Sequence, residues 1–209
     1  MPSISVRLLA EFTTKPVDDQ MRILAAQKRP KAGPAVFMVP YYQKTRNAVR
    51  KYFAAGNAPA VLTSAIQSLP GSVAQKHRTK NNARAIQAFR HHPAAARSLT
   101  PVSFKPVTMK VGGVGVRVAP DLVASEGKKT KYLFLNPTLT ALDPEVARRI
   151  IEISYDLLSR AGVAIGYGDV EIIDLPANRC VTNPKKPRSS VLKTATSNGQ
   201  WIVQLWPII

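Results

Sequence analysis

The chain has 209 residues, 45% of them hydrophobic, and a formal net charge of +18 from 30 basic and 12 acidic residues. That length and apolar content suit one sizeable domain or two small ones with a real core. No run approaches the roughly 18 apolar residues of a membrane-spanning helix. The single cysteine, Cys180, excludes an intrachain disulfide and a cysteine-built metal cluster. The start of the chain, Met1–Arg7, shows no basic segment followed by an apolar stretch, so a cytoplasmic protein with no membrane partner is expected.

The charge is uneven. Residues 1–100 carry 16 Lys and Arg against three acids, Glu11, Asp18 and Asp19, a net of +13; residues 101–209 carry a net of +5. An acid-poor half attracts phosphate backbones by counterion release, which points to nucleic acid as partner; DNA is expected ahead of RNA. Protein partners in a larger assembly are a second expectation.

In chain order, Lys15–Gln20 places acids in the first turn of a helix expected to run to about Lys28, where the helix dipole favours them. Residues 28–34 read as a basic loop punctuated by Pro30 and Pro34. The spacing of Thr45, Val49, Tyr52 and Phe53 predicts a helix from Tyr41 to Ala55, closed by Gly56-Asn57, with Lys44, Arg46, Arg50 and Lys51 on its other faces. Two further helices are expected around Ala60–Leu69 and Lys80–His91. Beyond Pro93–Pro106, short runs rich in β-branched residues predict strands at Val107–Val111, Val114–Val118, Leu122–Ala124 and Tyr132–Leu135, the first two joined by a Gly112-Gly113 turn. Asp143 and Pro144 then open a strong amphipathic helix through Val146, Ile150, Ile153 and Leu157, closed by Gly162. Strands are expected at Val170–Leu175, Arg179–Thr182 and Trp201–Trp206.

Pro120-Asp121, followed by Glu126-Gly127-Lys128, carries the letters of a metal-dependent nuclease site. Together with the β-β-β-helix-β order after residue 105, it resembles the PD-(D/E)XK (restriction-endonuclease-like) superfamily over roughly residues 105–182. The resemblance implies a mixed-sheet nuclease-like domain, residues 96–209; with the helical basic region read from the residue pattern over residues 1–95, an α+β architecture is expected. It also implies that Asp121 occupies the catalytic position.

Spacing separates Asp121 from the triplet. Five residues of extended strand cover about 16 Å and an odd offset reverses the face, so Glu126 and Asp121 cannot share one ion. Glu126–Lys129 therefore reads as a hairpin turn. The expected third strand, Lys131–Asn136, supplies neither acid nor lysine at the triplet position, so the motif is degenerate. A non-catalytic nucleic-acid-binding protein without a cofactor is expected. A Mg²⁺-dependent nuclease using Asp121 is the first alternative, and a basic scaffold for an acidic protein the second.

The remaining acids read as structural: Asp169, Glu171 and Asp174 on a strand, Asp143 and Glu145 at a helix start, and Glu152 on a solvated helix face beside Arg148. His77, His91 and His92 read as exposed, and Cys180 as an inert thiol. Two basic segments are candidate phosphate-binding sites. Lys76, Arg78, Lys80 and Arg84 lead into a helix, and Lys185, Lys186 and Arg188 lie in a hydroxyl-rich loop. Lys44, Arg46 and Arg50 complete the set, with Tyr41-Tyr42 beside them as base-stacking candidates, at least one of which is expected to pack in the core.

Overall fold

A computed structural model describes residues 2–12, 14–28, 40–71 and 75–209. The basic loop expected at 28–34 falls outside the described residues beyond Lys28. The chain opens with β1 (Ser3–Ser5), α1 (Val6–Phe12) and α2 (Val17–Lys28), then α3 (Gln43–Ala54), α4 (Pro59–Gln67) and α5 (Lys76–Arg90). A 3₁₀ turn at Pro93–Ala96 leads to β2 (Thr100–Pro101), β3 (Val107–Val111), β4 (Val114–Val118), β5 (Leu122–Glu126) and β6 (Lys129–Asn136). The chain continues through α6 (Pro144–Arg160), β7 (Val170–Asp174), β8 (Arg179–Thr182) and α7 (Ser189–Leu205). This is an α+β protein in which a helical N-terminal region precedes two mixed sheets.

The larger sheet has the order β2-β5-β6-β7-β8, with β6 and β7 parallel and the other neighbours antiparallel. Parallel pairing needs a crossover, and α6 supplies it. Successive strand residues face opposite sides, so the sheet divides two cores. Leu122, Leu133, Leu135 and Ile173 pack with Val49, Phe53, Leu62, Ile86 and Phe89 from α3–α5. Val123, Tyr132, Phe134 and Ile172 pack with α6, α7, α1 and Leu24 of α2, together with the smaller sheet. That sheet has the order β1-β4-β3, with β1 parallel to β4 and β3-β4 a hairpin. The first residues of the chain thus build the core on the α6 side, whereas α3, α4 and α5 cover the opposite face.

Local signals account for the best-defined elements. The Asp143 carboxylate accepts from the amides of Glu145 and Val146, so the α6 N-cap is made as its sequence implies. Gly112 and Gly113 take φ values of 56° and 90°, the left-handed turn that joins β3 to β4. The Glu126–Lys129 segment forms the expected hairpin, with Glu126 paired to Lys129 across a two-residue turn.

Four expectations are corrected. Trp201–Trp206 is not a strand, because Val191, Ala195, Ile202 and Leu205 are buried at helical spacing and Ser189–Leu205 forms α7. Lys76 to Arg84 do not lead into a helix but form its first half. His92 is buried, not exposed: its Nδ1 accepts from the Ala94 amide, capping the 3₁₀ turn, and burial pushes its pKa down. Glu152 is only 1% exposed and is partnered by Arg188 and Asn183, while Arg148 pairs with Glu145.

Candidate nucleic-acid interface

Between Asp19 and Asp121 the chain contains no acidic residue. This stretch includes α3 and α5, which pack side by side. The buried Thr45 amide and hydroxyl both donate to Asn82 Oδ1, at 3.1 and 2.8 Å, and Tyr52, Phe53 and Phe89 meet edge to face further along. Apart from the Thr45–Asn82 contact, the buried faces of the two helices are apolar, and exposed Lys44, Lys51, Lys76, Lys80 and Arg84 lie on their solvent sides.

The acids present are occupied elsewhere. Arg97 forms a bidentate pair with Glu126, at 2.8 and 2.7 Å, and reaches Glu171 at 2.6 Å, holding the Glu126 carboxyl below its usual pKa. Lys131 bridges Glu171 at 2.9 Å and Asp169 at 3.4 Å. The pKa of Glu145 falls to about 2, chiefly through Arg148 and with help from Arg188. Asp174, fully buried, accepts from Asn136 and the Leu142 amide. Cys180 lies near Arg97 and Glu171, and burial raises its thiol pKa. These are structural partnerships, as expected for Asp143, Glu145, Asp169, Glu171 and Asp174. The ion-pair hub at Arg97 had no signal in the sequence, because its partners lie 29 and 74 residues away.

The ten basic candidates separate by what they touch. Arg46 Nε approaches Asp121 Oδ1 to 2.5 Å without hydrogen-bond alignment, and Arg50 donates to the Asp121 carbonyl at 2.6 Å. Arg78 donates to the carbonyls of Pro40 and Tyr41 and lies over the Tyr41 ring. Arg188 is bonded to Glu145 and Glu152. The other six, Lys44, Lys76, Lys80, Arg84, Lys185 and Lys186, are exposed and form no ion pair with a described acid. Lys44, Lys76, Lys80 and Arg84 belong to the α3–α5 layer. Lys185 and Lys186 precede α7, and neighbouring Arg188 anchors that loop to α6 on the other side of the large sheet. The candidates therefore form two groups on opposite sides. Tyr41 is 42% exposed, with its hydroxyl accepting from Asn81, while Tyr42 packs against the helical core as expected of one of the pair.

Asp121 sits in the bend before β5. Its Oδ2 accepts from the Leu135 amide at 2.7 Å. The β5–β6 register, extended by two residues, would set Leu135 opposite Pro120, where the strand has ended. The carboxylate replaces the missing strand partner. Asp121 also borders an open cleft of about 1090 Å³ shared with Arg7, Arg46, Arg50 and Arg117, and it is the only acid among the described lining residues.

Comparison with protein-family models, curated proteins and solved structures finds no match for this chain. No helix of the described residues is long and apolar enough to cross a membrane.

Proposed function

We propose that this is a cytoplasmic, non-catalytic nucleic-acid-binding protein whose binding surface is the basic side of α3 and α5. The observation that carries the proposal is the exposed, unpaired series Lys76, Lys80 and Arg84 on a helix with no acid. Lys76–Lys80 and Lys80–Arg84 are like-charge pairs at i, i+4, each costing the helix a few tenths of a kcal/mol. A polyanion offsets that repulsion and releases counterions on binding. Lys44 and Lys51 extend the field from α3.

The PD-(D/E)XK resemblance supports a fold adapted to DNA. The engagement of both Asp121 carboxylate oxygens by Leu135 and Arg46 supports a structural use of that residue. The test is fluorescence anisotropy with labelled duplex DNA, comparing wild type with the Lys76→Ala/Lys80→Ala/Arg84→Ala variant, alongside a cleavage assay in Mg²⁺. Salt-sensitive binding that the triple substitution weakens at least tenfold, without cleavage, is expected. Equal affinity of the two proteins contradicts the proposed surface, and cleavage abolished by Asp121→Asn establishes the nuclease alternative.

A further inference from the structure

We infer that α5 is a reading helix that enters the major groove of duplex DNA, with Arg84 and Gln87 addressing base edges. The inference rests on the proposed nucleic-acid function and goes beyond it by naming the form of the partner and the residues that discriminate sequence.

On the solvent face of α5, beside exposed Lys76 at its edge, run His77, Lys80, Arg84 and Gln87, continued by His91 immediately after the helix, and all five are exposed. Their spacing of three, four, three and four residues makes one continuous stripe along a helix about 22 Å long. The chemistry changes along it. Cations dominate the first half, and neutral hydrogen-bonding groups the second, where Gln87 Nε2 and His91 Nε2 lie 3.3 Å apart. A purely electrostatic surface requires only the cations. Arginine matches the paired acceptors of guanine and glutamine the donor–acceptor edge of adenine, so Arg84 and Gln87, one turn apart, suit neighbouring base pairs.

The helix is held rigidly on its other sides. Thr79 donates to the Pro70 carbonyl at 2.6 Å, Arg90 to Thr63 at 2.7 Å, and Arg78 to the Pro40 carbonyl at 2.7 Å, with Asn82 locked to α3. Fixed geometry is what base discrimination needs, because a misplaced donor gains nothing over water. The stripe carries no Phe, Tyr or Trp, and its two imidazoles, His77 and His91, stand about 20 Å apart at opposite ends, so it lacks the succession of stacking rings that a single strand needs. An A-form RNA duplex presents a major groove too narrow for side chains to read, whereas the B-form groove, about 12 Å wide, admits a helix.

The test is selection from a pool of randomised duplexes, performed with wild type and with Arg84→Gln. Wild type is expected to enrich a short sequence containing a guanine that becomes adenine at one position in the Arg84→Gln selection, with about tenfold discrimination between the two bases in each case. Lys76→Ala, at the edge of the stripe, is expected to weaken selected and random duplexes alike. Wild type binding duplex DNA but enriching no sequence overturns the inference, as does an Arg84→Gln selection with an unchanged sequence, or preference for single strands or RNA. Each of those outcomes leaves nucleic-acid binding standing. Failure to bind any nucleic acid overturns both.

Discussion

Removing the Asp121 side chain should destabilise the protein, because the structure gives that carboxylate two partners. Asp121→Ala leaves the Leu135 amide without an acceptor at a point where β5 has already ended, a loss of about 1–3 kcal/mol. It also leaves Arg46 without its counter-charge. Both side chains are about one-fifth exposed, so screening limits this contribution to about 1 kcal/mol. The sum is about 2–4 kcal/mol. With a urea dependence of about 2 kcal/mol/M, the unfolding midpoint should fall by about 1–2 M. Asp121→Asn keeps an oxygen for Leu135 and loses only the charge, so its cost should be about 1 kcal/mol. Equilibrium urea unfolding followed by circular dichroism checks both values. An Asp121→Ala midpoint within the error of wild type would refute a structural role, and so would equal damage from the two substitutions.

Gly199 of α7 lies against the β3–β4 turn, and a Cβ there would stand 2.1 Å from the Val111 carbonyl oxygen. Since backbone meets backbone and neither side can yield cheaply, Gly199→Ala should cost about 3 kcal/mol in the same unfolding assay. Burial lowers the folded-state pKa of His92 below its unfolded value of about 6.5. Its contribution should therefore be complete above that pH and decline as pH falls. His92→Asn keeps an acceptor for the Ala94 amide and removes the titration, so the fall in stability below pH 6.5 should become shallower. An unchanged pH profile would assign that fall to other groups.

Much of the fold was legible in the sequence because its signals are local. Asp143-Pro144 and the period through Val146, Ile150, Ile153 and Leu157 define α6 without tertiary information. Gly112-Gly113 defines the β3–β4 hairpin equally well. The helix α7 was missed because the run of Trp, Ile, Val and Leu near its end has strand-forming composition, while the helical period begins at Val191 among polar residues. The strand β1 has three residues and exists through its parallel pairing with β4, which no local pattern announces.

The site divides in the same way. The charge of α5 was visible, and so was the mismatch between Asp121 and Glu126-Gly127-Lys128. Which cations remain available for a ligand was not visible. Arg46 and Arg50 meet Asp121 more than 70 residues away, and Arg78 is held by the turn before α3. Gln87 gave no signal, because a neutral side chain adds nothing to a charge pattern, and His91 read only as an exposed surface residue.

The most direct test is the salt dependence of duplex DNA binding in wild type, Lys76→Ala/Lys80→Ala/Arg84→Ala and Lys185→Ala/Lys186→Ala. Three lost phosphate contacts should reduce the slope of log K against log salt by about 2.7. Removing the two lysines on the other side of the large sheet should leave the slope at its wild-type value. Equal loss of slope per charge in the two variants would show that total charge, rather than the α5 face, governs binding, and would contradict the account.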